Sequence, residues 1–278
     1  MSNERLRVGF VSGRGGRLHV TTFAVECARG VVVAVAPFAE EMNKARRMMA
    51  LQARGFQAAG YAVVLQDPLG CGDSEGDIAN ATWATWIADL QDCVERQAQR
   101  FGSAPVLWGV RLGAVMACEV AHLLPDCERL IFWQPVVSGD QALNQFLRLR
   151  IASELASAGR ERVSDLRARL AAGEALEVGG YEIRPELALP LAQATLTPPQ
   201  RAGTVEWFEV AAATRTALSP GAARAVESWR QAGWRVADHN VAGDPFWVTQ
   251  EIAVVPELVE RTAAALVVHS FGRVPCEL

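Results

Sequence analysis

Short apolar runs rich in β-branched residues alternate along this chain with stretches that have helical periodicity. The runs have the composition of strands buried on both faces, and the stretches between them are long enough to connect parallel strands. The strand candidates are GVVVAVAPF (30–38), YAVVLQD (61–67), APVLWGV (104–110), RLIFWQPVV (129–137), TVEWFEV (204–210) and WRVADHNVAG (234–243). The alternation predicts an α/β fold with a mostly parallel, doubly wound sheet and helices on both of its faces.

Two segments depart from this alternation. RLRVGFVSG (5–13) and RLHVTTFAVE (17–26) predict a hairpin that turns at Arg14-Gly15-Gly16. Residues 138–200 predict charged helices, a small hairpin turning at Gly179-Gly180, and an exit in LTPPQ (196–200). We therefore predict a core formed by residues 1–137 and 201–278, with an inserted, mainly helical cap at 138–200. The last helix is predicted over residues 249–265.

Composition and charge exclude several classes of function. Half of the 278 residues are hydrophobic, which is enough for a large core, and the net charge of -4 gives no reason to expect a nucleic-acid or anionic-membrane partner. The start, MSNERLRVGF, lacks the apolar run of a secretory signal, and no apolar run is long enough to cross a bilayer. We predict a cytoplasmic protein without a transmembrane segment. The sequence leaves open whether the protein forms a homodimer.

The cysteines follow no metal-binding or disulfide pattern. They are scattered without a C-x-x-C pair, which favours reduced thiols over disulfides or zinc ligands. Their positions are Cys27, Cys71, Cys93, Cys118, Cys127 and Cys276. The sequence predicts neither a metal nor a cofactor.

The segment LWGVRLGAVMA (107–117) has the frame of a nucleophile elbow, G-x-S-x-G, but Arg111 occupies the central position. Gly109 and Gly113 allow the sharp turn from strand to helix that such an elbow needs. A guanidinium has no acceptor lone pair and stays protonated, so Arg111 is neither a nucleophile nor a general base. The helix that starts at Leu112 adds free N–H groups and a positive dipole end, which together with Arg111 favour a carboxylate or phosphate.

Four segments together resemble one family. They are residues 37–77, 107–114, 133–150 and 243–252, and they are similar to the second branch of the exosortase A system-associated hydrolases. The resemblance implies an α/β-hydrolase fold with an inserted cap. It also implies a cellular context, because these proteins occur with bacterial exopolysaccharide and PEP-CTERM protein-sorting loci.

A serine hydrolase of this fold needs a histidine after the last strand, to take the proton of the nucleophile. At that place the sequence is GDPFW (243–247), with Asp244 where the imidazole is expected. The histidines stand elsewhere, at His19, His122, His239 and His269. The strand at 204–210 is also followed by no carboxylate, and Asp140 is the alternative acid.

The loop DPLGCGDSEG (67–76) resembles the D-x-x-G-x-G-x-S-x-G loop found near the mouth of such sites. We interpret it as structural, with Asp67 and Ser74 bonded to loop amides. Cys71 lies in this loop without a neighbouring histidine to activate its thiol.

Arg111 has two alternative interpretations. Glu40, Glu41 and Asp244 lie on loops that this architecture brings to the cleft, and one of them can form a bidentate pair with Arg111. The alternative is an arginine that is open to an anion. The internal pair is favoured because three carboxylates are available.

The remaining candidates follow from the fold. Ligands of open α/β sheets collect at the carboxyl ends of strands, which adds Phe38 and Gln134 to Arg111, Leu112, Glu40, Glu41 and Asp244. Two functions stay open. One is a diverged or non-catalytic protein that binds a small polar or anionic ligand, or a partner. The other is a hydrolase of an ester, thioester or acylated saccharide that uses carboxylate-activated water, with Arg111 binding the carbonyl.

Overall fold

The computed structural model describes residues 6–154 and 161–268. Its strands are β1 (Leu6–Ser12), β2 (Arg17–Phe23), β3 (Val31–Val35), β4 (Ala62–Gln66), β5 (Val106–Val110), β6 (Arg129–Trp133), β7 (Leu176–Val178), β8 (Tyr181–Ile183), β9 (Thr204–Ala211) and β10 (Arg235–Ala242). Its α-helices are α1 (Glu40–Ala58), α2 (Trp83–Phe101), α3 (Leu112–Leu123), α4 (Gly139–Glu154), α5 (Val163–Ala171), α6 (Pro185–Gln193), α7 (Pro220–Gln231) and α8 (Pro256–Val268).

Eight of the strands form one sheet in the order β1-β2-β4-β3-β5-β6-β9-β10. The pairs from β4 to β10 are parallel, whereas β1 pairs with β2 and β2 pairs with β4 in antiparallel fashion. The mostly parallel sheet and the N-terminal hairpin are therefore confirmed. Because every parallel strand points the same way, their carboxyl ends meet at one edge of the sheet.

Apolar side chains cover both faces of this sheet. Helices α1 and α8 pack on one face, where Met48, Phe56 and Leu258 are fully buried against the strands. Helices α2, α3 and α7 pack on the other face, with Val115 and Trp229 in its core. Burying a side chain of this size stabilises the fold by about 1.5–3 kcal/mol, which explains why the apolar runs of the sequence locate the strands.

The segment between β6 and β9 lies outside the large sheet. It contains α4, α5, α6 and the two-stranded β7–β8 hairpin, whose turn residues Gly179 and Gly180 have φ values of 58° and 86°. Ser138 and Thr195 form a β-bridge at the base of the segment. Because β6 and β9 are neighbours in the sheet, the chain leaves and re-enters the core at adjacent points. Helix α4 then lies over the carboxyl edge of the sheet.

The predicted start of the last helix is wrong. Helix α8 begins at Pro256 and not at Thr249, and residues 249–255 are not helical. Proline is suited to the first turn of a helix, and it disfavours helical backbone in the residue before it. Val255 instead donates its backbone N–H to Met48 Sδ at 3.3 Å, which fastens this connection to α1. Within the described residues, no helix has the length and apolar character that a membrane span requires.

Candidate functional site at the carboxyl edge of the sheet

The turn between β5 and α3 has the predicted elbow geometry. Arg111 stands between the two elements with φ 56° and ψ -118°. A Cβ on Gly109 would lie 2.4 Å from the Cα of Ala114, and one on Gly113 would lie 2.2 Å from the carbonyl oxygen of Val35. No side chain fits at either position, so both glycines are needed for the helix to pack this closely on the strands.

Backbone strain is concentrated at this edge. The non-glycine residues with positive φ in the described chain are Ala39 at 49°, Arg111 at 56° and Gln134 at 42°. They follow the adjacent strands β3, β5 and β6. Such conformations cost about 1–3 kcal/mol each and persist where the surroundings enforce them, often at functional sites.

The Arg111 side chain is held by two helices, α1 and α4, and by the connections that follow β6 and β10. Its Nε lies 3.2 Å from both Oε1 and Oε2 of Glu41, and its Nη2 donates to Glu41 Oε1 at 3.0 Å. Nη2 also donates to Gln145 Oε1 at 2.7 Å, and Nη1 donates to the carbonyl oxygen of Gln134 at 3.2 Å. The guanidinium carbon lies 5.1 Å from the ring centroid of Trp247, a cation–π distance. Of the three carboxylates that the sequence offers, the structure places Glu41 against Arg111.

The Arg111–Glu41 pair is largely removed from solvent. The Arg111 side chain is 8% exposed and that of Glu41 is 22% exposed. Burial raises the pKa of Glu41, while the charge and hydrogen bonds of Arg111 act in the opposite direction. Glu41 lies in the first turn of α1, where the helix dipole favours a negative charge.

A cavity of about 250 Å³ lies beside this pair. Its polar lining comes from Glu40, Glu41, Lys44, Arg111 and Gln145. Its apolar lining comes mainly from Phe38, Phe146, Leu149, Trp247 and Val248. The cavity is therefore mostly apolar, with charged and amide groups gathered on one side, which is the usual composition of a small-molecule site.

Comparison with known proteins gives the family. The family model described as serine aminopeptidase, S33, matches residues 26–175, more than half of the chain. The chain belongs to the serine aminopeptidase S33 family. A search of proteins with curated functions finds no match.

Solved structures similar to this S33-family chain are α/β hydrolases. Est1E from Butyrivibrio proteoclasticus, solved with ferulic acid, has a TM-score of 0.67 at 13% identity over 95% of this chain and 100% of its own. A soluble variant of monoglyceride lipase from Saccharomyces cerevisiae has a TM-score of 0.60 at 13% identity, over 96% of this chain and 97% of its own. A proline iminopeptidase-related protein from Thermus thermophilus has a TM-score of 0.58 at 18% identity, over 96% and 100%. At these identities the likeness shows the fold, and the predicted α/β-hydrolase fold is confirmed.

Most of the site residues predicted for this S33-family member come together, and the others have different roles. Phe38, Glu40, Glu41 and Arg111 all line the cavity. Leu112 is buried as the first residue of α3.

In the described part of the chain, the side chains of Gln134 and Asp244 do not hydrogen-bond to Arg111. The side chain of Gln134 accepts the N–H of Val210 at 2.7 Å, so only its carbonyl oxygen reaches Arg111. Asp244 is exposed and takes no part in the contacts of Arg111.

Sequence reasoning missed Gln145, Phe146 and Trp247 as site residues. Gln145 and Phe146 belong to the amphipathic helix α4. The signal was present in the periodicity of α4, because Ala142, Gln145, Phe146 and Leu149 share one face at spacings of three and four.

The described histidines of the S33-family chain have partners away from the cavity. His19 Nδ1 lies 3.4 Å from Asp67 Oδ2. His122 Nε2 lies 2.9 Å from the carbonyl oxygen of Thr197. His239 stacks on a phenylalanine ring and lies 2.6 Å from Glu206 Oε2. His269 and Cys276 lie outside the described residues.

Asp140 and Cys71 are also accounted for by local contacts. Asp140 pairs with Arg167 at 2.6 Å and accepts a hydrogen bond from Asn144 at 2.9 Å. Burial and the nearby charge of Asp67 raise the pKa of the Cys71 thiol to about 12, so the thiol stays protonated at neutral pH.

Two carboxylates of the loop after β4, together with a histidine of β2, form the one group within the described residues whose spacing would suit a metal. Ligand atoms of His19, Asp67 and Asp73 lie within 4.8 Å of one another. However, Asp67 Oδ2 already accepts from Arg46 Nη2 at 2.8 Å and from the Asp73 N–H at 3.1 Å. A guanidinium in this position opposes a second cation, so the arrangement fits a structural loop better than a metal site.

Proposed function

We propose that this chain is a diverged, non-catalytic member of its family that binds a small polar or anionic ligand in the cavity beside Arg111. The observation that carries the proposal is the Arg111–Glu41 pair at the elbow. Where a serine hydrolase presents its nucleophilic oxygen, this chain presents a guanidinium with hydrogen bonds from all three nitrogens.

The rest of the Ser-His-Asp triad is absent in this proposal. Asp244 stands where the general base is expected, and the described histidines are engaged with Asp67, Thr197 and Glu206. Glu209, in the strand that precedes the usual acid position, is bonded to Ser219 and Arg215. Among the described residues that line the cavity there is no serine, cysteine or histidine to form a nucleophile and its base.

The proposed division of the chain assigns residues 1–137 and 201–278 to the core and 138–200 to a cap. Support comes from α4, which contributes Gln145, Phe146 and Leu149 to the cavity wall. In this division the cap both closes the cavity and supplies one of the acceptors of Arg111. Ligand entry then requires α4 to move or the mouth between α4 and Val248 to admit the ligand.

The proposed cellular role is in a cytoplasmic step of an exopolysaccharide or exosortase A system. The four sequence segments at 37–77, 107–114, 133–150 and 243–252 support this context. Deleting the gene in its natural host and measuring secreted polysaccharide tests it, and unchanged secretion would argue against the role.

One observation favours a second candidate, hydrolysis of an ester, thioester or acylated saccharide by water. Glu41 lines the cavity, and burial raises the pKa of this carboxyl above its ordinary value, which favours proton transfer. In this mechanism Arg111 polarises the substrate carbonyl, and Glu41 takes a proton from water as the water oxygen bonds to the carbonyl carbon. The bond to the leaving oxygen or sulfur then breaks as the carbonyl re-forms, and Glu41 returns the proton to that leaving atom. The close Arg111–Glu41 pair opposes this function, since it occupies both groups.

The two candidates are separated by activity-based labelling and by turnover. The non-catalytic function predicts no labelling by a fluorophosphonate probe and no hydrolysis of short acyl esters or thioesters. Turnover that disappears in both Arg111→Ala and Glu41→Gln would favour the second candidate. Covalent labelling of any serine would overturn both, because it would reveal a nucleophile that neither contains.

A further inference from the structure

The charges that line the cavity are already balanced within the protein. Arg111 lies 3.0 Å from Glu41, and Lys44 Nζ lies 3.8 Å from Glu40 Oε1. These four are the charged groups that the described part of the chain contributes to the cavity lining. An anion that entered would meet one carboxylate for every cation, so it would lose its hydration without gaining a net opposite charge.

The larger part of the wall is suited to an apolar group. Phe38 and Phe146 pack edge to face, with ring centroids 4.9 Å apart. Leu149 and Val248 are 42% and 52% exposed although both line the cavity, which makes the mouth apolar as well. Covering these side chains with an aliphatic chain or a ring would remove apolar surface from water on both partners.

The polar side of the cavity offers both donors and acceptors. Among the described residues, Lys44 Nζ donates one long hydrogen bond, 3.3 Å to the carbonyl oxygen of Val248. Gln145 uses its Oε1 to accept from Arg111, which leaves its amide NH2 directed away from that bond. The half-exposed carboxylate of Glu40 supplies acceptors. A head group that both accepts and donates hydrogen bonds matches this set.

From these three features we propose that the cavity binds an uncharged amphiphile, with an aliphatic or aromatic body and an amide or alcohol head, in preference to an anion of the same shape. The inference rests on the proposed non-catalytic binding function and narrows its ligand class. The body lies along Phe146, Leu149 and Val248, and the head lies between Lys44, Gln145 and Glu40.

The test uses octanamide and octanoate, which have nearly the same shape and differ in charge. Isothermal titration calorimetry of the full chain at one fixed ionic strength and pH 7.5 measures both affinities. Octanamide is expected to bind about tenfold more tightly, a difference of about 1.4 kcal/mol. Equal or tighter binding of octanoate overturns the inference, and so does the absence of octanamide binding.

Two charge variants test whether the balanced charges of the cavity cause the preference for octanamide over octanoate. Glu41→Gln and Glu40→Gln each remove one negative charge from the lining, so the octanamide preference should fall about fivefold or more in each. Glu227→Gln changes the net charge equally on α7, away from the cavity, and should leave the preference unchanged. A preference that stays the same in both cavity variants, or that falls as much in Glu227→Gln, would overturn the charge-balance argument.

The Leu149→Ala variant tests how much the apolar body of the ligand contributes to affinity, independently of the head group. Leu149 is half-exposed, so this variant should fold, and it should weaken both ligands about threefold without altering their ratio. Unchanged affinities would place the ligands elsewhere and overturn the site. Failure of the proposed function is distinguishable, because fluorophosphonate labelling or ester turnover reports catalysis whatever the octanamide preference is.

Discussion

Two arginine–carboxylate pairs of this molecule have opposite arrangements. In the loop after β4, the carboxylate is the buried partner: the Asp67 side chain is 6% exposed and that of Arg46 is 41% exposed. At the elbow, the arginine is the buried partner: the Arg111 side chain is 8% exposed and that of Glu41 is 22% exposed. The buried partner is therefore the anion in the first pair and the cation in the second.

The surroundings of the two pairs differ as well. A Cβ on Gly72 would lie 2.1 Å from Arg46 Nη2 and 2.3 Å from Asp67 Oδ2, so the backbone at Gly72 packs directly against the Asp67–Arg46 pair. The Arg111–Glu41 pair instead borders a cavity of about 250 Å³. The Asp67–Arg46 pair fixes the conformation of its loop, whereas the Arg111–Glu41 pair can also contact a ligand in the cavity.

The largest effect is expected from Glu41→Ala, because it leaves a buried cation without its carboxylate. The free energy of unfolding should fall by about 3 kcal/mol, measured by urea denaturation. Glu40→Ala is the matched control. Its side chain is 42% exposed, and it should cost at most about 1 kcal/mol. Equal losses in the two variants would contradict the importance of burial at Arg111.

Asp67→Ala is expected to cost about 2 kcal/mol, since it removes the acceptor of the Asp73 N–H and of Arg46. The loss is smaller than for Glu41→Ala because the remaining cation, Arg46, reaches solvent. Octanamide binding should stay unchanged. Asp73→Ala, at an exposed position, serves as the control in the same denaturation experiment. A loss of octanamide binding in Asp67→Ala would show that the loop takes part in the cavity.

Acetate should restore part of the stability of Glu41→Ala, because the cavity lets a small carboxylate reach Arg111. At a concentration ten times the dissociation constant, the recovery would be about 1.4 kcal/mol. Thermal denaturation in sodium acetate, compared with sodium chloride at equal ionic strength, measures it. Asp67→Ala should gain little, since the cation that it leaves behind, Arg46, is 41% exposed and is already hydrated. If acetate restored the same stability to both variants, the proposed difference between the Arg111–Glu41 pair and the Asp67–Arg46 pair would be wrong.

The smallest effect concerns Cys71, which lies in the closed loop with a thiol pKa raised to about 12. Native protein treated with iodoacetamide at pH 8 should leave Cys71 unmodified while the exposed Cys27 reacts, as peptide mass spectrometry would measure. Modification of Cys71 in urea provides the positive control. Rapid alkylation in the folded state would show that the loop opens.

Much of the fold followed from the sequence alone. Runs such as VVVAV at 31–35 identified buried strands, and Gly109 and Gly113 identified the elbow, because these signals arise within a few neighbouring residues. The predicted start of α8 was wrong, since apolar residues at 252–255 fit a helical period although Pro256 begins the helix. Periodicity alone does not distinguish a helix from an irregular connection that packs on α1 through Met48.

The sequence by itself determined that a permanent cation stands at the elbow, because the identity of residue 111 and the glycines around it are local facts. Only the tertiary structure decided which carboxylate neutralises it, because Glu41, Gln145 and Trp247 reach Arg111 from elements far apart in the chain. Glu40, Glu41 and Asp244 were equivalent in sequence terms. Their distances to the guanidinium depend on how α1, α4 and the connection after β10 pack over the edge of the sheet.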